Sequence, residues 1–109
     1  MNESRPFLLV RARPRPEAAE RLMAWFRASH LRDVRRIPGI AQTEWGTLAG
    51  GTILGVYSFE SAEVVGAALG SPQAAYARGT WERWAPDLEE LSIEIFAPLI
   101  PLPIYRSAS

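Results

Sequence analysis

One imidazole is available to this chain. His30, the single histidine among 109 residues, sits in the run Trp25-Phe26-Arg27-Ala28-Ser29-His30-Leu31-Arg32-Asp33-Val34-Arg35-Arg36-Ile37-Pro38-Gly39-Ile40. An unperturbed imidazole titrates at about 6.5, so it can take or give a proton near neutrality, and burial retunes it. Asp33, three residues on, falls on the neighbouring part of the same helical face, where it could orient the ring or stabilise its charged form. His30 and Asp33 are therefore the candidate catalytic residues, with His30 as general acid or base. The competing role is a hydrogen-bonded core histidine without chemistry.

The other chemistries are short of residues. The absence of cysteine removes a thiol nucleophile, a disulfide and a thiolate metal site. One histidine, with no carboxylate cluster at ligand spacing, gives no metal site. Gly50-Gly51 lies between two strands and opens no helix, so it is not a phosphate loop. No cofactor is expected.

The element that must position His30 is a helix from Pro16 to about Ile37. At 100° per residue, Ala19, Leu22, Met23, Phe26, His30, Asp33, Val34 and Ile37 form one stripe. Glu17, Glu20, Arg21, Arg27, Arg32 and Arg35 fall largely on the other side. Pro38-Gly39 stops it. Before this helix, Pro6 to Arg13 reads as a strand. After it, strands at Ile40–Leu48 and Thr52–Phe59 flank Ala49-Gly50-Gly51 as an antiparallel hairpin. Ser61 has the type and place of an N-cap for a short helix, Ala62 to Leu69. Ser71-Pro72 restarts a helical turn that closes at Gly79, and Thr80 to Trp84 forms a further turn stopped by Pro86. A last strand runs from about Glu90 to Ala97. Residues 98–109 are apolar and proline-rich, an extended arm or edge strand.

The order β-α-β-β-α-β is that of a ferredoxin-like α+β fold, one domain over 1–109 with a four-stranded antiparallel sheet. Both faces of that sheet carry apolar residues: Phe7 and Leu9 alternate with Leu8 and Val10, and Leu54 and Val56 with Ile53, Tyr57 and Phe59. A second apolar face implies cover by another subunit, so a homodimer is expected. Arg11 and Glu94 sit on strands that neighbour in this fold, and Glu44 on the far edge strand; charged residues pointing into a dimer interface usually pair, so structural ion pairing is their expected role. The charge balance is neutral, 12 Lys+Arg against 12 Asp+Glu, which argues against a nucleic-acid partner. Apolar runs are too short for a signal peptide or a membrane span, so the expected location is the cytoplasm.

The W-F-x-x-x-H-L-x-x-V-x-x-I-P-G-I run from Trp25 to Ile40 resembles the helix-end signature of the dimeric α/β-barrel superfamily, and within it EthD-type proteins. The resemblance implies two ferredoxin-like protomers packing sheet to sheet, with a small-molecule cleft between each sheet and its helices. It places the EthD-type histidine at His30 and the proline-glycine at Pro38 and Gly39. The superfamily includes cofactor-free quinol monooxygenases, haem-degrading enzymes, polyketide cyclases and dehydratases, and isomerases. Related cyclases often use more than one histidine, and this chain has one. Haem chemistry fits poorly, since a histidine on the first helix does not match the axial ligand of related haem enzymes.

Across such a cleft from His30 lie Tyr57 on the third strand and Tyr76, Trp81 and Trp84 near the second helix. With Phe26 beside His30 on its stripe, these are the candidate substrate-binding residues. Their rings suit a flat aromatic or polyketide-like compound. The expected function is thus a cofactor-independent enzyme moving a proton in a cyclisation, dehydration or isomerisation. The alternatives are a quinol-type monooxygenase without cofactor and a non-catalytic dimeric protein that binds an apolar ligand.

Overall fold

The computed structural model describes residues 5–97. The proline-rich arm expected at 98–109 lies outside the described residues.

Strand β1 (Phe7–Pro14) leads through a turn of 3-10 helix at Pro16–Ala18 into α1 (Ala19–Trp25). The helical path continues through a π segment, Phe26–His30, into α2 (Leu31–Arg35). Strands β2 (Ile40–Thr47) and β3 (Ile53–Phe59) form the expected hairpin. Its turn holds Gly50 and Gly51 at φ 97° and 92°, a left-handed conformation that glycine adopts without a Cβ penalty. Then come a 3-10 turn at Ala62–Val64, α3 (Val65–Leu69), α4 (Pro72–Glu82), a 3-10 turn at Ala85–Asp87 and β4 (Leu88–Phe96). The sheet is four-stranded and antiparallel in the order β2-β3-β1-β4, the ferredoxin-like arrangement, with the helices on one face.

Two local expectations are corrected. Ser61 makes no side-chain cap bond. Ser71 does cap: its hydroxyl accepts from the Ala74 N–H at 3.1 Å and donates to the Ala68 carbonyl at 2.7 Å, joining the end of α3 to the start of α4. And α4 does not close at Gly79. It runs on through Thr80 and Trp81, because Ala74, Ala77 and Trp81 bury one continuous stripe, and a mid-helix glycine costs only about 1 kcal/mol against that burial.

The core lies between sheet and helices. Val10 and Ala12 of β1 meet Ile53, Tyr57 and Phe59 of β3, and Leu22, Phe26, Leu31 and Val34 cover them from above. Leu31 lies outside the helical stripe drawn at 100° per residue, yet it is buried. The π segment explains it. The Leu31 N–H bonds the Phe26 carbonyl, five residues back, and this wider turn brings both side chains to the core face.

Among the described residues the second sheet face is only partly covered in the single chain. Cross-strand partners share a face, so Phe7 and Phe96, opposite each other, lie there with Leu9, Leu54 and Val56. The Phe7 and Phe96 rings stack at 4.9 Å. Arg11 faces Ser92, and Glu94 faces Leu9. Arg11 and Glu94 stand diagonal to each other across β1 and β4 on this face and make no ion pair with each other within the chain. The ion pairs among the described residues are Arg13–Glu89, Arg21–Asp87 and Arg32–Asp33.

Candidate functional site

The π segment ends on His30 and turns its imidazole toward β3. There His30 Nε2 and the Tyr57 hydroxyl stand 2.9 Å apart, the one buried hydrogen bond between two side chains among the described residues. Three further rings enclose the imidazole: Trp81 at 4.9 Å, Phe26 at 5.0 Å and Trp25 at 5.2 Å between centroids. The ring is 2% exposed, and its Nδ1 has no hydrogen-bond partner. An unmet buried polar atom is uncommon in folded proteins and costs about 1–3 kcal/mol.

Counting donors assigns the proton. If Tyr57 donates its O–H to Nε2, one group is left unmet, the Nδ1–H. If Nε2–H donates to Tyr57, both the phenol proton and the Nδ1 lone pair are unmet. The first arrangement satisfies more of the buried groups. Burial holds both partners neutral. Desolvation lowers the His30 pKa to about 4, against a smaller upward pull from the Asp33 charge. Desolvation also pushes the Tyr57 phenol well above its ordinary value.

A pH dependence follows. Below the unfolded value of about 6.5 the unfolded chain protonates its histidine while the folded chain does not, so protons favour unfolding. The contribution of His30 is fully present above pH 6.5 and is lost as the pH falls through the window from 6.5 to 4. The loss is on the order of 3 kcal/mol at the bottom of that window. Urea melts of wild type and His30→Gln at pH 7 and pH 4.5 check this: the difference between the two proteins should change in that direction.

His30 and Tyr57 stand in the wall of a half-enclosed cleft of about 70 Å³ between the sheet and helices. The floor is Leu8 and Val10 of β1 with Phe59 of β3; Val34 and Ala74, Ala77 and Trp81 form the roof. Arg78 and Ile93 also line it, and both are exposed, so they mark the mouth. Arg78 Nη1 donates to the Leu69 carbonyl at 3.3 Å. That volume is small beside the roughly 300–1,000 Å³ of pockets for drug-sized ligands. A polycyclic compound therefore requires the mouth to open.

Of the residues expected at the site, the structure brings His30, Tyr57 and Trp81 to this cleft, with Phe26 packed behind the imidazole. It does not bring Asp33, Tyr76 or Trp84 there. Asp33 is buried, but its carboxylate meets Arg32 Nε at 3.4 Å, and neither imidazole nitrogen bonds it. It acts on His30 through its field alone. Tyr76 is 56% exposed and shares a shallow surface dip with Asp33 and Arg36. On α4 it precedes the inward-facing Ala77 and so points outward. Trp84, past the end of α4, packs on Trp25 at 5.4 Å under the Arg21 guanidinium. Sequence reasoning missed Arg78. A helix read as continuous through Gly79 would have shown it beside Ala74, Ala77 and Trp81.

No group of three or more His, Asp or Glu side chains among the described residues is arranged to hold a metal ion. No helix among them is long and apolar enough to cross a membrane.

Together these features define a class: a ferredoxin-like α+β protein with an apolar cleft between sheet and helices and one buried histidine–tyrosine pair in its wall. The same fold occurs in an EthD family protein from Bacillus halodurans, with TM-score 0.70 and 15% identity over 86% of this chain and 99% of that one. It occurs in SnoaB, a cofactor-independent oxygenase from Streptomyces nogalater, with TM-score 0.66 and 14% identity over 93% and 99%. It occurs again in the ActVA-Orf6 monooxygenase of Streptomyces coelicolor, solved with nanaomycin D, with TM-score 0.65 and 16% identity over 90% of each chain. These likenesses establish the shared fold. Neither a protein-family model nor a curated protein matches the chain by sequence.

Proposed function

We propose that this chain is a small-molecule enzyme that binds a largely apolar, ring-bearing compound in the cleft and exchanges a proton with it through His30. The observation that carries the reading is the buried His30–Tyr57 pair with Nδ1 unpartnered, in the wall of an otherwise apolar cleft. A neutral imidazole with a pKa near 4 is a weak base in the empty site. It becomes effective when the Tyr57 O–H turns from Nε2 to the developing enolate or phenolate, which frees the Nε2 lone pair for the proton, because that anion and the nearby Asp33 favour the imidazolium.

One such proton transfer serves two kinds of reaction. The carbanion-like product can rearrange, as in cyclisation, dehydration or isomerisation. It can instead react with O2, as a cofactor-independent oxygenase requires. The oxygenase and monooxygenase among the proteins of shared fold favour the second outcome. Trp25 and Trp81 lie within 5.2 Å of the imidazole, so tryptophan fluorescence should report occupancy. Titration with polycyclic phenols and hydroquinones is expected to quench it, and turnover in air but not under argon would select oxidation. Binding that survives His30→Gln unchanged, without turnover by either protein, would leave a non-catalytic binding protein.

The partly covered sheet face supports a homodimer as the working form. Phe7, Leu9, Leu54, Val56 and Phe96 make one apolar patch, and Arg11 and Glu94, which form no ion pair within the chain among the described residues, share that face with it. Val56→Arg would bury an unpaired charge in a face-to-face interface, at a cost of several kcal/mol. It is expected to give folded monomers in sedimentation where the wild type sediments as dimers. A wild type that sediments as a monomer would remove this part of the reading.

A further inference from the structure

We propose that Gly55 is a positioning residue for His30: by carrying no side chain, it lets the Tyr57 ring lie along β3 with its hydroxyl on Nε2, and so determines which imidazole nitrogen holds the proton. The inference rests on taking His30 and Tyr57 as the working pair.

Gly55 and Tyr57 are two residues apart on one strand and project to the same, helix-covered face. A Cβ built on Gly55 would lie 2.6 Å from the Tyr57 hydroxyl oxygen and 2.9 Å from both Cε1 and Cζ of that ring. Carbon atoms that merely touch stand about 3.5–4.0 Å apart. Any side chain at 55 and the observed Tyr57 ring therefore exclude each other. The backbone offers no other reason for glycine here, since positive φ occurs at Gly39, Gly50 and Gly51 and not at Gly55. Nor is Gly55 at a strand end. It pairs with Val10 of β1 on one side and Trp45 of β2 on the other, deep in the sheet, where glycine weakens a strand. What the missing side chain permits is the flat ring.

The consequence reaches the imidazole. With the ring held down, the phenol proton is directed at Nε2, and the neutral histidine keeps its own proton on Nδ1. With the ring lifted, Nε2 loses its fixed donor, and both tautomers become available.

Imidazole ¹⁵N spectra of the ligand-free protein at neutral pH test this. The wild type should show Nδ1 protonated and Nε2 as acceptor. Gly55→Ala should move both signals in the direction that Tyr57→Phe does. Gly46→Ala, on the adjacent strand with open space around its Cβ, should leave them in place. Gly55→Ala should also lower the melting temperature, and adding Tyr57→Leu should recover part of the loss by removing the ring. If Gly55→Ala does not fold, the paired variant should. Wild-type imidazole signals in Gly55→Ala overturn the proposal, as does a paired variant no more stable than Gly55→Ala alone. No ligand enters these measurements, so their failure is distinct from a failure of the functional reading, which the ligand titrations decide.

Discussion

Replacing both members of the buried polar pair, His30→Leu together with Tyr57→Phe, is expected to give a protein at least as stable as either single variant and unable to bind its ligand. Each single change strands a polar group. Tyr57→Phe leaves both imidazole nitrogens unmet, and His30→Leu leaves the phenol proton without an acceptor, in a place where both side chains are 2% exposed or less. Each should cost about 1–3 kcal/mol. Removing both converts the site to continuous apolar packing among Phe26, Trp25 and Trp81, and such replacements are often neutral or stabilising. Denaturant melts of the four proteins, read as a double-mutant cycle, give the coupling directly. A double variant less stable than both singles would mean that the pair is structural. A stable double variant that no longer quenches with phenols would mean that it is kept for the ligand.

The second large effect belongs to Phe26. It is fully buried, contacts the His30 ring at 5.0 Å and the Trp45 ring at 5.5 Å, and opens the π segment. Phe26→Ala removes most of a large, fully buried side chain from the core face of the helical run. The expected cost is about 3–5 kcal/mol. Against the roughly 5–15 kcal/mol typical of whole domains, this is enough to depopulate the folded state under mild denaturant. Far-ultraviolet dichroism during a urea melt would show the midpoint fall. Trp45→Ala makes a contrast. At 39% exposed, Trp45 covers Phe26 from the edge strand β2, and its loss should cost much less.

The order and type of the strands were legible because period-two alternation and glycine turns are local signals. The long first helix was legible by its stripe, and so was the burial of His30. Leu31 was not, since a π turn is invisible to a projection that assumes 3.6 residues per turn. The second helix was read short at Gly79, because local propensity says nothing of the Ala74, Ala77 and Trp81 burial that carries the helix past it. That shortening hid Arg78. Tyr76 and Trp84 were grouped with the cleft by aromatic type and proximity in sequence, and their actual directions depend on the phase of the continuous helix and on its packing against Trp25.

By itself, then, the sequence determined the ferredoxin-like order of elements, the amphipathic helix and the presence of one buried imidazole, because these follow from periodicity and from residue type. The tertiary structure decided what that imidazole faces. Asp33, near in sequence and on the same helical face, contributes only its charge, while Tyr57, 27 residues away, supplies the hydrogen bond. Spacing along a helix constrains which side chains share a face, but a hydrogen bond between helix and sheet depends on register and on room. Here the room comes from a glycine two residues before Tyr57, whose meaning appears only once the ring above it is seen.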